Sequence, residues 1–271
     1  MERRTGETAS GTRESRALLA AYDRLAHLNP KWIVEFGPRE GGGWVLGTAL
    51  RQAEEEPFAG LLARIMERMQ TRDRKVAAAS FALRFGWASA VAIAPYLSDA
   101  CVPDVALENV SLRFGSGVLF ERVALHEPRA YAPSPGHDDA LAALREVLMV
   151  QASPVVDTLE RWSKFPRRAL WGQVTSSWGA QFEIVLSGLD RADHALAAAR
   201  SFFDVEGPAF AAAPTLYTVE HAGATRVFHC RASCCLYYKV KAGSYCASCP
   251  LLAEDERIAR NRAWIERSLS T

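Results

Sequence analysis

The sequence predicts an α+β protein with a helix-rich body, short antiparallel strands arranged as hairpins, and a small C-terminal cysteine module. One observation is that long segments carry apolar residues at helical spacing, whereas the alternating segments are short. Another is that four of the six cysteines fall in one stretch, RASCCLYYKVKAGSYCASCP, beyond a Gly207-Pro208 break where the helical pattern ends. The hydrophobic content of 49% and the charged content of 23% are ordinary for a globular chain.

The N-terminal quarter is expected to contain a helix, two strands and a second helix. After residues 1–12, which we expect to be disordered, helical spacing predicts a helix that ends before Asn29-Pro30. KWIVEFGPREGGGWVLGTAL then alternates, passes a glycine cluster and becomes apolar again, which predicts a strand, a hairpin turn and a second strand. An amphipathic helix follows, with an apolar face of Phe58, Leu61, Leu62, Ile65, Met66 and Met69.

The middle of the chain is predicted to be mostly helical. VAAASFALRFGWASAVAIAPYL is apolar nearly all round, which predicts a buried helix, and NVSLRFGSGVLFERVAL predicts a hairpin that turns at residues 115–117. Four further helices are expected: one capped by Asp138, one beginning at Ser153-Pro154, one in PRRALWGQVTSSWGAQF, and one opened by Asp190. Strands in TLYTVE and TRVFHC, the cysteine segment and a charged helix from about Ala253 complete the chain.

Charge and targeting patterns argue against several classes of function. A net charge of +1 provides no basic field for nucleic acid. The polar start MERRTGETASGTRESR has no apolar h-region, so we expect no secretory signal and a cytoplasmic location with reduced thiols. We expect no transmembrane segment, because the most apolar run, Trp87 to Leu97, is too short and contains Pro95. Glycines 41, 43 and 47 do not match the spacing of a dinucleotide-binding loop.

Cys234, Cys235, Cys246 and Cys249 form a C-C-x10-C-x2-C pattern. Four thiolates without histidine or carboxylate are ligands that select zinc or an iron–sulfur cluster. Structural zinc sites usually use two C-x2-4-C knuckles, whereas here the first half is a vicinal pair whose side chains point to opposite faces of an extended segment. This arrangement favours a [2Fe-2S] cluster, and zinc stays an alternative.

Simpler explanations apply to some of the cysteines. A vicinal disulfide is disfavoured in the cytoplasm. Cys101 is expected to be a buried apolar residue, and Cys230, four residues before the pattern, is expected to be a small buried residue at a strand end rather than a substitute ligand. Four cysteines in one short stretch are poorly explained in this way.

The segments RASCCLYYKV and CASCPL resemble the C-terminal signature of the FhuF family of siderophore-iron reductases. LRFGWASAVAIAPYL, VPDVALENVSLRFG and PRRALWGQV resemble body segments of such proteins, so the resemblance extends from about Ala77 to Leu252. It implies that Cys234, Cys235, Cys246 and Cys249 bind a [2Fe-2S] cluster. It also implies three regions: residues 1–74 with no assigned role, a body at 75–225 that binds the siderophore, and a cluster-binding module at 226–271.

The resemblance implies a cytoplasmic ferric-siderophore reductase, an oxidoreductase that transfers one electron to siderophore-bound Fe(III), with hydroxamate siderophores favoured, and releases Fe(II). Because no flavin or nicotinamide motif is visible, a separate electron donor such as a ferredoxin or a flavin reductase is expected. Substrate-binding candidates near the cysteines or with aromatic surfaces are Arg231, Tyr237, Tyr238, Lys239 and Trp171. The competing hypotheses are a zinc- or cluster-containing protein that binds or assembles siderophores, and a ferredoxin-like electron carrier without its own substrate.

Overall fold

The computed structural model describes residues 7–29, 32–131 and 139–269, with side chains from residue 15 onward. The helices of the described ranges are α1 (Glu7–Leu28), α2 (Phe58–Arg68), α3 (Arg74–Gly86), α4 (Ala90–Asp99), α5 (Ala140–Ser163), α6 (Arg167–Gly188), α7 (Ala195–Phe203) and α8 (Glu254–Leu269). The strands are β1 (Val34–Phe36), β2 (Trp44–Leu46), β3 (Val110–Phe114), β4 (Phe120–Leu125), β5 (Thr215–His221) and β6 (Ala224–Cys230). A helix-rich α+β fold with short strands and a C-terminal cysteine region is therefore confirmed.

A four-stranded sheet with the order β1-β4-β3-β2 lies beside the helices. The predicted hairpin of β3 and β4 is confirmed, with Leu112 opposite Val123. The predicted hairpin of β1 and β2 is wrong, because β1 pairs parallel with β4 and β2 pairs antiparallel with β3, at opposite edges of the sheet. The glycine-rich connection instead lets the chain pass from one edge to the other.

Gly43 shows why this connection needs glycine. Its φ is +90°, and a Cβ atom there would lie 2.8 Å from the carbonyl oxygen of Phe114. The Phe114 amide donates a hydrogen bond of 2.9 Å to the Gly43 carbonyl oxygen, so the two backbones are in direct contact. A side chain would have to displace the end of β3.

Helices α3 and α6 form the centre of the helical core. They approach closely at Gly86, where a Cβ would lie 2.8 Å from Ser177 Cβ, and the Ser177 hydroxyl donates to the Leu83 carbonyl oxygen at 2.7 Å. The helical stretch from Arg74 to Asp99 is long and apolar enough to cross a membrane, although 78% of its most apolar window is buried inside the protein. The stretch predicted as one buried helix is thus packed inside the protein, as α3 and α4 joined by a 3-10 turn at Trp87–Ser89.

Helix α5 is one continuous helix, where the sequence predicts two that are separated at Ser153-Pro154. Pro154 lies inside it and leaves the carbonyl of Val150 without its helical partner. Because Val150 is 42% exposed, water can hydrate that carbonyl and the helix continues. The Asp139 carboxylate caps the helix by accepting a 2.6 Å hydrogen bond from the Ala142 amide, and the predicted cap, Asp138, lies outside the described residues.

Two other helix starts differ from the prediction. Helix α1 begins at Glu7, so residues 7–12 are helical rather than disordered, and residues 1–6 lie outside the described residues. Helix α7 begins at Ala195, after a 3-10 turn at Ala192–His194, and Asp190, with a φ of +55°, is not its N-cap. Local sequence patterns locate these helices but not their first residues.

The C-terminal part is a β5–β6 hairpin covered by α8. The hairpin is antiparallel, with Thr215 opposite Cys230, as the sequence predicts. Asn261 of α8 is buried and donates a 2.7 Å hydrogen bond to the Tyr217 hydroxyl, and Ile265 is fully buried. After this hairpin, the segment with the first two cysteines lies against the first turns of α6.

Replacing Phe202 with alanine should strongly destabilise the body. The ring is fully buried and packs against the rings of Trp178, Phe182, Phe203 and Phe210 at centroid distances of 5.0–6.0 Å. We expect a loss of about 3–5 kcal/mol in the free energy of unfolding, measured by denaturant titration. Leu28→Ala, at a residue that is 50% exposed, is the control and should cost less than about 1 kcal/mol. Equal losses in both variants would contradict the assignment of this core.

Candidate iron–sulfur site

The two halves of the cysteine pattern are brought together by one backbone contact. The Arg231 amide, just after β6, donates to the Ser248 carbonyl oxygen at 3.0 Å. The second half forms a knuckle turn, in which the Cys249 amide donates to the Cys246 carbonyl oxygen at 3.0 Å. The vicinal pair therefore lies directly opposite the C-x2-C knuckle.

Each of the four sulfurs accepts a backbone N–H from the residue two positions ahead. The Leu236 amide lies 3.3 Å from Cys234 Sγ, and the Leu251 amide lies 3.4 Å from Cys249 Sγ. Tyr237 donates in the same way to Cys235, and Ser248 to Cys246. A hydrogen bond from an amide to sulfur stabilises negative charge on that sulfur, so the backbone is arranged for four thiolates.

The sulfurs associate as two pairs. Cys235 and Cys246 share a hydrogen bond between their sulfurs, which raises the pKa of Cys235 and lowers the pKa of Cys246. Cys234 hydrogen-bonds to Cys249, and its pKa is raised first by burial and then by the neighbouring thiols. The guanidinium of Arg231 lowers the pKa of both Cys235 and Cys246. The neighbours Cys234 and Cys235 thus turn to different partners.

This donor set fits a [2Fe-2S] cluster. Such a cluster takes four thiolates, two on each iron, and the four sulfurs here already form two pairs, each of which accepts two amide N–H groups. Among the described residues, no three His, Cys, Asp or Glu side chains converge with the geometry of a single bound metal ion. The observations that support a [2Fe-2S] cluster at this site are the pairing of the four sulfurs and their N–H···S hydrogen bonds.

Helix α6 holds the vicinal cysteines in place through Ser233. Gln173, which is fully buried, donates from Nε2 to the Ser233 carbonyl oxygen at 3.0 Å and to its Oγ at 2.7 Å. The Ser233 hydroxyl donates to the Ala169 carbonyl oxygen at 2.7 Å. Gly172 leaves room for this contact, since a Cβ there would lie 2.5 Å from Ser233 Oγ. These bonds fix the first half of the site to the helical core.

Helix α8 holds the other half. Arg260 donates to the Tyr245 carbonyl oxygen, and Arg257 donates to the Leu252 carbonyl oxygen at 3.2 Å. These contacts lie on either side of the knuckle, in which Cys249 is only 3% exposed. Since each half of the pattern is tied to a different helix, the site depends on how the module docks on the body.

A large cavity opens onto one side of the site. Its volume is about 1260 Å³, and it is lined by the end of α2, by α3, β4 and α6, and by the cysteine module. Cys235 and Cys246 line it, whereas Cys234 and Cys249 do not. One pair of thiols therefore lines the cavity and the other pair does not.

The cavity contains only some of the substrate-binding candidates named from the sequence. Arg231 and Tyr237 line it. Tyr238 is exposed, packs against Tyr245 at a centroid distance of 5.1 Å and lies outside the lining, as does the exposed Lys239. Trp171 has no exposed surface and packs against another tryptophan in the core, so it has no face to offer a ligand.

Sequence reasoning missed much of the cavity wall. Its other charged and aromatic members come from segments far apart in the chain: Trp32, Arg68, Arg84, Trp87, Phe120, Glu121 and Lys241. Arg84 alone left a signal in the sequence, because it is the only charged residue between Val76 and Leu97. The region at 1–74, to which the sequence assigned no role, contributes Trp32 and Arg68 to this wall.

The two remaining cysteines lie outside the paired set. Cys101 is half-buried against the helical core, where burial raises its pKa. Cys230 Sγ lies 3.8 Å from the Arg231 carbonyl oxygen, and burial raises its pKa as well. Neither is hydrogen-bonded to one of the four paired sulfurs in the described residues.

Gly172→Ala should weaken the docking of the module, because the added methyl group would collide with Ser233 Oγ. We expect a loss of about 1–3 kcal/mol in the free energy of unfolding and a lower fraction of chains that retain iron after gel filtration. In the Ser233→Ala background the colliding oxygen is absent. Adding Gly172→Ala to that background should therefore lower the free energy of unfolding by less than it does in the unmodified protein. An equal loss in both backgrounds would show that this contact is not the cause.

Comparison with known proteins bears on the same stretch. Residues 231–251 match the family model of the FhuF 2Fe-2S C-terminal domain. No curated protein matches the chain. The matched residues contain all four paired cysteines and identify the cofactor as a [2Fe-2S] cluster. Residues 231–251 are thus similar to the FhuF 2Fe-2S C-terminal domain, which agrees with the resemblance noted from the sequence.

Proposed function

We propose that this protein is a cytoplasmic ferric-siderophore reductase, which reduces siderophore-bound Fe(III) to Fe(II) by one electron and releases the iron. The observation that carries the proposal is the cavity of about 1260 Å³ that opens onto Cys235 and Cys246 of a 2Fe-2S-type domain. A ferredoxin-like carrier has no need for a cavity of this size, which is large enough for a bulky ligand.

The cluster ligands are Cys234, Cys235, Cys246 and Cys249 in this proposal. Their support is the pairing of the sulfurs and the four amide donors that stabilise thiolate charge. When bound, the [2Fe-2S] cluster supplies the electron. The protein holds the four sulfurs and positions Arg231 beside the cavity pair.

The role of the cavity is to bind the ferric siderophore and to orient it towards the cluster. Fe(III) is a hard ion that oxygen donors hold tightly, and Fe(II), with less charge, is held more weakly by the same oxygens. A siderophore encloses its iron, so the protein has to place the whole complex next to Cys235 and Cys246 rather than coordinate the metal. Tyr237 and Trp87, which are 38% and 39% exposed, offer aromatic surfaces in this wall, and no acid–base residue is required.

The electron donor is proposed to be a separate ferredoxin or flavin reductase, because the chain shows no flavin or nicotinamide motif. In this proposal residues 75–225 form the siderophore-binding body and residues 226–271 form the cluster module. Trp32 and Arg68 of the N-terminal region belong to the siderophore-binding wall as well.

Substitution of the ligands should separate them from the other cysteines. Anaerobically purified protein should contain about two irons and two labile sulfides per chain. Cys235→Ser and Cys249→Ser should lose or destabilise the cluster, because a hydroxyl is a poor substitute for a thiolate on iron. Cys101→Ser and Cys230→Ser are the matched controls and should keep iron, sulfide and visible absorption. Stoichiometric zinc without sulfide would refute the cofactor, and cluster loss in a control would refute the ligand set.

The reductase activity is tested with the chemically reduced protein. Mixed anaerobically with a ferric siderophore and a ferrous chelator, it should be reoxidised and form the coloured Fe(II) chelate, because the chelator removes Fe(II) and draws the reaction forward. Cluster absorption and chelate formation are followed together, with Cys235→Ser as the control. If no siderophore speeds reoxidation beyond buffer while a ferredoxin exchanges electrons readily, the protein is a carrier and the proposal fails.

A further inference from the structure

The cavity next to the cysteine site is strongly positive. Its charged lining consists of Arg68, Arg84, Arg231 and Lys241 against one carboxylate, Glu121. That carboxylate is already paired with Arg113 outside the lining, with 3.3 Å between Arg113 Nε and Glu121 Oε2. Within the described part of the chain, none of the four cations has a carboxylate oxygen within 4.0 Å. No described carboxylate therefore neutralises the wall, and the two thiolates that line it, Cys235 and Cys246, offset only part of the charge of the four cations.

Three hydrogen-bond donors in the same wall are buried and unpaired. They are Arg84 Nε, Gln181 Nε2 and Arg231 Nε, none of which has a partner among the described residues. Gln181 is 1% exposed, so its amide is removed from bulk water. Buried polar groups are normally hydrogen-bonded, so these unpaired donors leave the wall of the cavity short of acceptor atoms.

The arginines also repel one another. Burial lowers the pKa of Arg84, and the charge of Arg68 lowers it further. A guanidinium nevertheless stays protonated at neutral pH, so the two charges persist side by side. The Arg84 side chain is fixed by a hydrogen bond to Ser80 Oγ, which stops it from swinging away from its neighbour. An anion between these groups would relieve the repulsion and satisfy the donors.

On the proposed function as a basis, we propose that the cavity selects ferric complexes with a net negative charge, whose outer oxygens are bound by Arg84, Arg231 and Gln181 in the field of Arg68 and Lys241. Three catecholates supply more negative charge than Fe(III) neutralises, and so do siderophores that add carboxylates to hydroxamates. Three hydroxamates alone give an uncharged complex. Among hydroxamate siderophores, the class that the resemblance favours, the cavity therefore selects those that also carry carboxylates, and it accepts tris-catecholates as well.

Gallium(III) complexes test this directly, because gallium has the charge of Fe(III) but is not reduced under these conditions. Binding to the cluster-loaded protein is measured by calorimetry for three probes: a trianionic tris-catecholate complex, an anionic complex of a carboxylate-bearing dihydroxamate, and an uncharged trihydroxamate complex. We expect at least one anionic probe to bind about tenfold or more tightly than the uncharged one, with affinity that falls as salt is raised. The pattern over the two anionic probes identifies the donor type.

The variants Arg68→Gln and Arg84→Gln, which change the cavity wall without altering the cysteine segment, should each weaken binding of the anionic probe about tenfold and leave the uncharged probe unaffected. Arg200→Gln, at an exposed position of α7 outside the lining, makes the same change in net charge and should leave both affinities unaltered. Retained binding of the uncharged probe shows that a variant is folded. If a variant no longer binds the uncharged probe, the inference is tested by the affinities of the three probes for the unmodified protein alone.

Equal affinity for charged and uncharged probes, or a preference for the uncharged one, would overturn the inference. Parallel reduction assays with the corresponding ferric complexes keep this result separate from the proposed function. Reduction of ferric complexes without charge selectivity would refute the inference and leave the reductase standing. Selective binding of anionic complexes without any reduction would support the binding site and refute the reductase.

Discussion

Helix α6 makes two close contacts, and the position of the cysteine site depends on both. At Ser177 it meets Gly86 of α3 at a distance that would not admit a Cβ atom. One turn earlier, Gln173 and Ser233 connect α6 to the segment that carries the vicinal cysteines. Because the same rigid helix contacts the core and the module, the distance between the cavity wall and the sulfurs is set by packing rather than by a flexible linker.

Arg231 links these contacts to the electrostatics of the site. Its Nη1 lies 3.5 Å from Gln173 Oε1, its charge favours the thiolate forms of Cys235 and Cys246, and its side chain lines the cavity. A cation in this position stabilises negative charge on the sulfurs and, in the proposed function, on a bound ferric complex. Its effects on the site and on the cavity are therefore coupled.

The elements that the sequence predicted well are those whose pattern is local. The amphipathic face of α2, the hairpin of β3 and β4, and the strands β5 and β6 all follow from spacing within a few residues. The errors arose where distant parts of the chain decide. No local pattern shows that the β3–β4 hairpin inserts between β1 and β2. The Ser153-Pro154 pair predicts the start of a helix, whereas α5 continues through Pro154 because Val150 is exposed.

The same division holds for the functional site. The sequence by itself determined the four cysteines and the type of metal centre, because thiolate number and spacing are properties of a short segment and the family match covers residues 231–251. Only the tertiary structure decided which sulfurs pair, which pair faces the cavity, and that Arg68, Arg84 and Gln181 lie in one wall while Trp171 is buried. Residues from α2, α3 and α6 become neighbours only when the helices pack, so the charge of the cavity is not encoded in any single stretch of the chain.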